Sequence, residues 1–381
     1  MNQREFGQEA FSDEQFLAGG ITLLLSGTIG FVGNIFVLII TYRILRYRRN
    51  IPTIFILFLS WTDLLTFPLI YPQSLLKYFV GVYVGDYVGC DYQGTVITLL
   101  YGISITLVLM MSVDRLLALH KPFCYERYIT YDKEKVKVTA IGVGTAGLTM
   151  SLLPAFGVGR NVLHFPGTFC LFEWGAETVD GRALLYIYMT LLSIAMLTIV
   201  FCNLGVVILT WRLVRRVQGD STLGDKESAA PKARPKSSSH VEMEMQFAKI
   251  SCVAAIAFVG CWSLFLIRVT MIQAGYHFDA LLDFTSIRLA SLHSVLNPWF
   301  YPLLRRKYRE GFWYLMTWVG HIVTCTLIAK PENTLDDIVG GTPRTKRSKN
   351  ILQSEERRRS SQRFVSTSTL ATEKSISTDS K

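Results

Sequence analysis

The chain has little charge. Asp, Glu, Lys and Arg make up 18% of its 381 residues, while half of the residues are apolar; a soluble domain carries about 25% charged residues. No internal repeat is evident, which argues against the repeat-built transporters, and there is no Asn-x-Ser/Thr acceptor for N-glycosylation. Residues 1–16 are polar and acidic, lacking the basic start and short apolar core of a cleavable signal. The first apolar run is therefore expected to serve as its own anchor.

What is present is apolar residues in long blocks. Seven runs approach the roughly 20 residues that cross a bilayer: about 17–42, 52–80, 92–119, 137–157, 182–211, 247–273 and 284–304. Lys and Arg number four in 43–50, five in 120–137 and seven in 211–246. On the other side they number one in 1–16, one in 77–91, two in 158–182 and none in 274–283. Basic loops stay inside, so the N-terminus is expected outside. The net charge of +10 then reflects membrane topology rather than nucleic-acid binding. The expected architecture is an all-α membrane fold: an outer N-terminus over 1–16 and a seven-helix bundle over 17–304. A short amphipathic inner-surface helix over 305–316 and a tail over 317–381, mostly disordered, would follow. That amphipathic segment, LLRRKYREGFWYLMTW, sets Phe312, Trp313, Leu315 and Met316 beside basic residues, a pattern that lies on a membrane surface. The loop GDSTLGDKESAAPKARPKSSSH is rich in Gly, Pro, Ser and charge and reads as flexible.

Seven apolar helices serve receptors, light-driven pumps, transporters and intramembrane enzymes alike, so the discriminating residues are the polar ones. The third run ends in MMSVDRLLAL, with Asp114 and Arg115; Glu244 opens the sixth; LSWTDLL puts Asp63 in the second; Gly33–Asn34 lies in the first; NPWFY supplies Asn297, Pro298 and Tyr301 in the seventh. In this order the motifs resemble those of rhodopsin-class G-protein-coupled receptors, over residues 17 to about 316. The resemblance implies that Arg115 is a switch, held by Asp114 and Glu244 and released toward a heterotrimeric G protein. It implies a polar, sodium-binding pocket at Asp63, Ser104 and Asn297. An ionisable residue inside a span is functional by default, although Asp63 has a second reading, satisfying nearby backbone and side chains. Cys90 begins the third run on the outer side and Cys170 lies in the second outer loop, the oxidising side, so a Cys90–Cys170 disulfide is expected. Cys124, Cys202, Cys252, Cys261 and Cys325 are expected free and buried; Cys325 is a candidate for palmitoylation.

Two ligand classes are disfavoured by absences. An amine receptor needs an Asp in the outer half of the third run, where Val96, Ile97 and Thr98 stand; an opsin needs a Lys in the seventh, and 281–304 has none. The seventh run instead carries Arg288, ten residues before Pro298. An Arg near the centre of a span costs roughly 2.5–3.5 kcal/mol on insertion scales, and a guanidinium takes a carboxylate in a bidentate fork. An acidic ligand would offset that cost. The competing readings are an internal pair with Asp279 or Asp283, or an outward snorkel; Asp283, five residues away, is a poor helical neighbour. Arg268, nearer the outer interface, is expected to snorkel.

IRLAS followed by NPWFY, the loop PGTFCLFEW and the step YPQSLLKYFVG resemble the prostanoid receptor branch, E-type prostaglandin receptors most of all. That resemblance implies that Arg288 binds a lipid carboxylate with hydrogen bonds from Thr168 and Tyr78, above an apolar pocket floored by Trp262. The sequence departs from the branch at Asn297 (usually Asp), Phe169 (usually Trp), Leu264 (commonly Pro) and Asp114-Arg115-Leu116. The tail places Ser360 and Ser361 after three arginines and adds Ser366, Thr367, Ser368 and Thr369, candidate sites for receptor kinases and then arrestin. The reading is a multi-pass plasma-membrane receptor, not an enzyme, with no cofactor. Its ligand is expected to be a prostaglandin-like acid and its partner a stimulatory G protein that raises cyclic AMP. Other anionic lipids (leukotriene, lysophospholipid, fatty acid) are the alternative, and a transporter using Asp63, His293 and Arg288 the remoter one.

Overall fold

The computed structural model describes residues 12–47, 49–128, 133–223, 236–276, 279–324 and 334–340. In chain order the elements are α1 (Asp13–Tyr47), α2 (Ile51–Val80), α3 (Asp86–His120), α4 (Pro122–Tyr128), α5 (Lys133–Ser151) and a 3-10 turn (Pro154–Phe156). The strands β1 (Asn161–His164) and β2 (Phe169–Phe172) follow, then α6 (Val179–Leu223), α7 (Lys236–Gln273), α8 (Ala280–Leu304), α9 (Arg306–Val323) and α10 (Leu335–Gly340). One compact unit runs to Phe312 and holds the bundle; a second begins at Trp313.

Seven long helices, α1, α2, α3, α5, α6, α7 and α8, stand on the seven apolar runs. Five of them are long and apolar enough to cross a membrane by length and composition alone. The other two fall short because of polar residues: α5 opens on Lys133, Glu134, Lys135 and Lys137, and α8 carries Asp283, Arg288, His293 and two prolines. α2 begins where Asn50 Oδ1 accepts from Thr53 N at 3.1 Å with Pro52 in the first turn, and it stops at Gly81, whose φ of 80° is left-handed.

Packing begins with α1 on α2. Lipid tails are as apolar as leucine, so helices in a bilayer associate by close approach of small residues. α1 supplies buried glycines at 19, 20, 27, 30 and 33. A Cβ at Gly30 would meet the Phe67 ring at 2.4 Å, and one at Gly27 would meet Tyr71 at 2.7 Å. α3 is the central post, packing against α2, α4, α5, α6 and α7 and against both strands. In the inner half it is tied to α6 and α7 by Asn203, whose Nδ2 donates to Ser112 Oγ at 2.9 Å and whose Oδ1 accepts from Ser251 Oγ at 3.3 Å.

Three features lie beyond the expected elements. The second outer loop folds into an antiparallel hairpin, with Leu163 opposite Cys170. α9 runs to Val323 rather than stopping near 316, because LMTWVGHIV continues without a proline. Within the segment expected as tail, Thr334 caps α10: its Oγ1 accepts from Asp337 N at 3.4 Å, and Asp337 Oδ2 accepts in return from Thr334 N at 3.2 Å. Cys325 and the serines and threonines at 360, 361 and 366–369 lie outside the described residues.

The α1–α2 contact gives a direct test. Gly30→Ala should lower the unfolding temperature of the purified chain, at a cost of about 1–3 kcal/mol from overpacking. Gly102→Ala, where an added Cβ meets nothing within 4 Å, should leave it unchanged or higher, as helix propensity favours Ala.

Candidate functional site

The outer mouth of the bundle is roofed by the β1–β2 hairpin, and one side chain sets its height. Gln93 is fully buried on α3. Its Oε1 accepts from Cys170 N at 2.7 Å and from Tyr83 Oη at 2.8 Å; its Nε2 donates to Ser74 Oγ at 3.1 Å and Ile70 O at 3.3 Å. All of its usual hydrogen-bonding capacity is thus used, joining α2, α3, the α2–α3 turn and the roof. The Cys90–Cys170 disulfide, Cα to Cα 5.2 Å, fastens the same point one helical turn away. Among the described cysteines the free ones are Cys124, exposed, Cys252, half-buried, and the buried Cys202 and Cys261.

Beneath the roof lies a narrow cavity, about 460 Å³ counting its open mouth but only about 50 Å³ of enclosed room, below the roughly 300–1,000 Å³ of small-molecule pockets. Apolar surface makes most of its wall, with Leu23, Ile70, Ile97, Phe169 and Ile287 contributing, and three polar side chains meet at one spot. There Arg288 Nη2 donates to Tyr78 Oη and to Gly19 O, both at 2.9 Å, and Thr168 Oγ1 donates to Tyr78 Oη at 3.4 Å. The guanidinium also lies 5.0 Å from the Phe284 ring centre and 5.4 Å from that of Tyr78. Arg288, Tyr78 and Thr168, far apart in sequence, thus meet at one spot. Tyr71, Ser74, Tyr101 and Ser291 complete the polar lining.

The nearby acids are engaged elsewhere. Asp279 caps α8, its Oδ1 accepting from Leu282 N at 2.9 Å. Asp283 is buried and accepts from Arg268 Nε across the α7–α8 contact. Arg268 is 1% exposed, so the expected snorkel is replaced by an internal ion pair: with a carboxylate on the facing helix, the guanidinium turns inward. Among the described residues no ion pair involves Arg288.

Trp262 does not line the cavity. It sits beneath Tyr101, ring centres 5.5 Å apart, in a cluster with Phe258, Phe265 and His293, so Tyr101 forms the floor that faces the cavity. Lower still, fully buried Asp63 accepts from Asn297 Nδ2 at 2.7 Å and from Ser104 Oγ at 3.2 Å. Asp63 and Ser104 bring two oxygens suited to a hard monovalent ion. Asn297 brings its amide nitrogen, which already neutralises part of the carboxylate's demand. No group of three acidic, His or Cys residues suited to a metal occurs among the described residues.

At the inner end, Arg115 is 2% exposed and donates to Asp114 Oδ2 from Nη2 at 2.5 Å and Nε at 2.9 Å. Tyr125 on α4 donates to Asp114 Oδ1 at 2.7 Å and accepts from Arg115 at 3.3 Å. The backbone of Glu244 belongs to α7, but its side chain lies outside the described residues. Phe247, one turn on, lies 5.4 Å from the Arg115 guanidinium and 4.2 Å from that of Arg305. Pro298 packs on α1, where a Cβ at Gly33 would meet it at 2.9 Å, and the Tyr301 ring stands 5.6 Å from Tyr308.

A helical bundle with this roof, buried acid and inner arginine is that of a seven-helix membrane receptor, and the profile of the 7 transmembrane receptor (rhodopsin family) matches residues 33–301. The chain belongs to that family of multi-pass receptors, which are not enzymes. It is 27% identical over 312 residues to the prostaglandin E2 receptor EP4 subtype of Oryctolagus cuniculus, spanning 73% of this chain and 63% of that one. It is 27% identical over 315 residues to the prostaglandin E2 receptor EP3 subtype of Homo sapiens, covering 75% and 76%. The match therefore takes in less than two thirds of the EP4 relative's length. Squid rhodopsin shares the fold, with a TM-score of 0.69 at 20% identity over 87% of this chain and 92% of that one.

Two outcomes follow from the buried charges. Asp283→Asn should remove the carboxylate that Arg268 meets across the α7–α8 contact and cost about 3–5 kcal/mol, seen as lost surface expression, while Arg268→Met with Asp283→Leu should recover most of it. In the roof, the ring of His164 stacks on Phe169 at 5.4 Å and leans on Trp174 at 4.2 Å, and burial pushes its pKa down to about 4. The folded form excludes a proton that the unfolded chain binds below about 6.5, so stability should fall as pH drops from 6.5 toward 4. His164→Phe should flatten that part of the pH profile of thermal unfolding.

Proposed function

We propose that the chain is a plasma-membrane receptor, N-terminus outside, for an acidic lipid, and that the lipid is an E-type prostaglandin. The observation that carries this reading is Arg288 in an apolar cavity, bonded to neutral oxygens while both nearby acids are occupied. A carboxylate entering there takes the guanidinium fork and the Tyr78 and Thr168 hydroxyls, one cation and two hydroxyl donors around one anion. The hydrocarbon chain parts the apolar wall of Leu23, Ile97 and Ile287 above Tyr101 as it enters. The names of the EP4 and EP3 relatives favour the prostaglandin over other acidic lipids.

Signal transfer in this reading is a shift between two states. Ligand seated against Tyr101 pushes on the aromatic cluster of Trp262, Phe258 and His293, and below it Asp63 with Ser104 holds a sodium ion in the inactive state. The inner face opens when Arg115 leaves Asp114 and Tyr125 and turns to a heterotrimeric G protein. The stimulatory class, with raised cyclic AMP, is the one we assign; receptor kinases and arrestin act on the tail.

The experiment uses cells expressing the full chain, a panel of prostaglandins, and cyclic AMP and calcium as readouts. The expected result is a response to an E-type prostaglandin that disappears in Arg288→Ala. Arg288→Lys, a point charge without the planar fork, should keep a weaker response, right-shifted about tenfold or more for the lost charge-assisted bond. Equal potency of the free acid on wild type and Arg288→Ala would overturn carboxylate capture. Silence toward every prostanoid at normal surface expression would overturn the ligand.

A further inference from the structure

A second cleft opens on the flank of the bundle between α2, α3 and α5, measuring about 1740 Å³ with its open side included. Phe55, Phe58, Leu107 and Val143 form its wall, and Ile51, Asp114 and Lys135 stand together at one end. That end is the inner one on the basic-loop topology, since α2 begins, α3 finishes and α5 begins there; the inference shares this topology with the proposed function and is otherwise independent of it.

The cleft exists because α5 packs on α3 and does not fill the space toward α2. No aromatic residue occurs in α5. The residues it turns to the cleft are small, Thr139, Ala140, Val143 and Gly144, and a Cβ added at Gly144 meets nothing within 4 Å. An apolar groove open to a bilayer is filled by hydrocarbon, and here its headgroup end holds the ammonium of Lys135. From Lys135 to Gly144 the helix climbs about 13 Å at ~1.5 Å per residue, close to the depth of one leaflet in a core of about 30 Å. We propose that the cleft binds an anionic phospholipid of the inner leaflet, one acyl chain lying along α5 and the phosphate on Lys135. A sterol, being neutral, would leave that charge unused.

The site borders the switch. Asp114 lines the cleft and is the residue that holds Arg115.

The test is native mass spectrometry of the purified full chain titrated with phosphatidylserine and with phosphatidylcholine, without prostaglandin. Phosphatidylserine should bind the wild type more tightly than phosphatidylcholine. Lys135→Gln should weaken it about fivefold, the weight of one basic side chain at an anionic surface, and leave phosphatidylcholine unchanged. Gly144→Leu should fill the cleft and remove the tight phosphatidylserine. Lys121→Gln, exposed and outside the cleft, should change nothing. Unchanged phosphatidylserine affinity in Lys135→Gln, or an equal loss in Lys121→Gln, would overturn the site. Cholesterol displacing phosphatidylserine equally well from wild type and Lys135→Gln would overturn the lipid class. Because Lys135 is exposed on the first turns of α5, its substitution leaves the fold intact even should Gly144→Leu not fold.

Discussion

In the outer half of the bundle the buried carboxylate of Asp283 pairs with Arg268 on the facing helix and not with Arg288 on its own. The pair joins α7 to α8 and draws Arg268 inside, and it decides the chemistry of the mouth. Had Asp283 turned to Arg288, the cavity would have ended in a neutral ion pair with little reason to attract an acid. With Asp283 taken and Asp279 spent on the helix cap, Arg288 keeps its positive charge beside hydroxyl and carbonyl oxygens. A buried ion pair is a weak source of stability, and its value here is better understood as allocation of charge between two neighbouring helices.

The roof obeys a similar economy of position. A backbone carbonyl on α2, a serine, a tyrosine and the Cys170 amide all converge on Gln93, while the disulfide holds the chain covalently at the same level. Thr168 and Phe169, two residues and one residue before Cys170, are thereby placed over the cavity without needing a large interface of their own. Below, Tyr101 and Phe258 meet His293 edge to face, as Tyr101 and Phe265 meet Trp262, and these rings separate the apolar cavity from the polar pocket at Asp63.

Much of this was legible in the sequence because a bilayer enforces regularity. Backbone polar groups must be satisfied inside each span, so seven apolar runs read directly as helices, and loop charge gives their expected sense. The Arg288, Tyr78 and Thr168 grouping followed from a resemblance, since nothing in local spacing brings residues 78, 168 and 288 together. Arg268 was misread for a specific reason: depth from the helix end suggests a snorkel, whereas its fate depended on which face of α8 carries Asp283. Gln93 left a signal that went unused, lying three residues after Cys90 and hence one turn along the same helix face. Tyr101 in place of Trp262 as the cavity floor turns on side-chain packing between α3 and α7, which periodicity does not encode. The hairpin and α10 are too short to stand out from loop composition.

α3 joins the two ends of the molecule that matter. It carries Cys90 under the roof and Arg115 at the inner face, 25 residues apart in one uninterrupted helix without proline, a rise of about 37 Å. α2 and α8 each contain two interior prolines, where helices bend; α3 has none to absorb a movement partway. It therefore behaves as a lever whose outer end is bolted to the roof by a covalent bond. A small tilt imposed at the mouth has no proline along α3 at which to dissipate, and any compensating flexure falls to the proline-bearing α2 packed beside it.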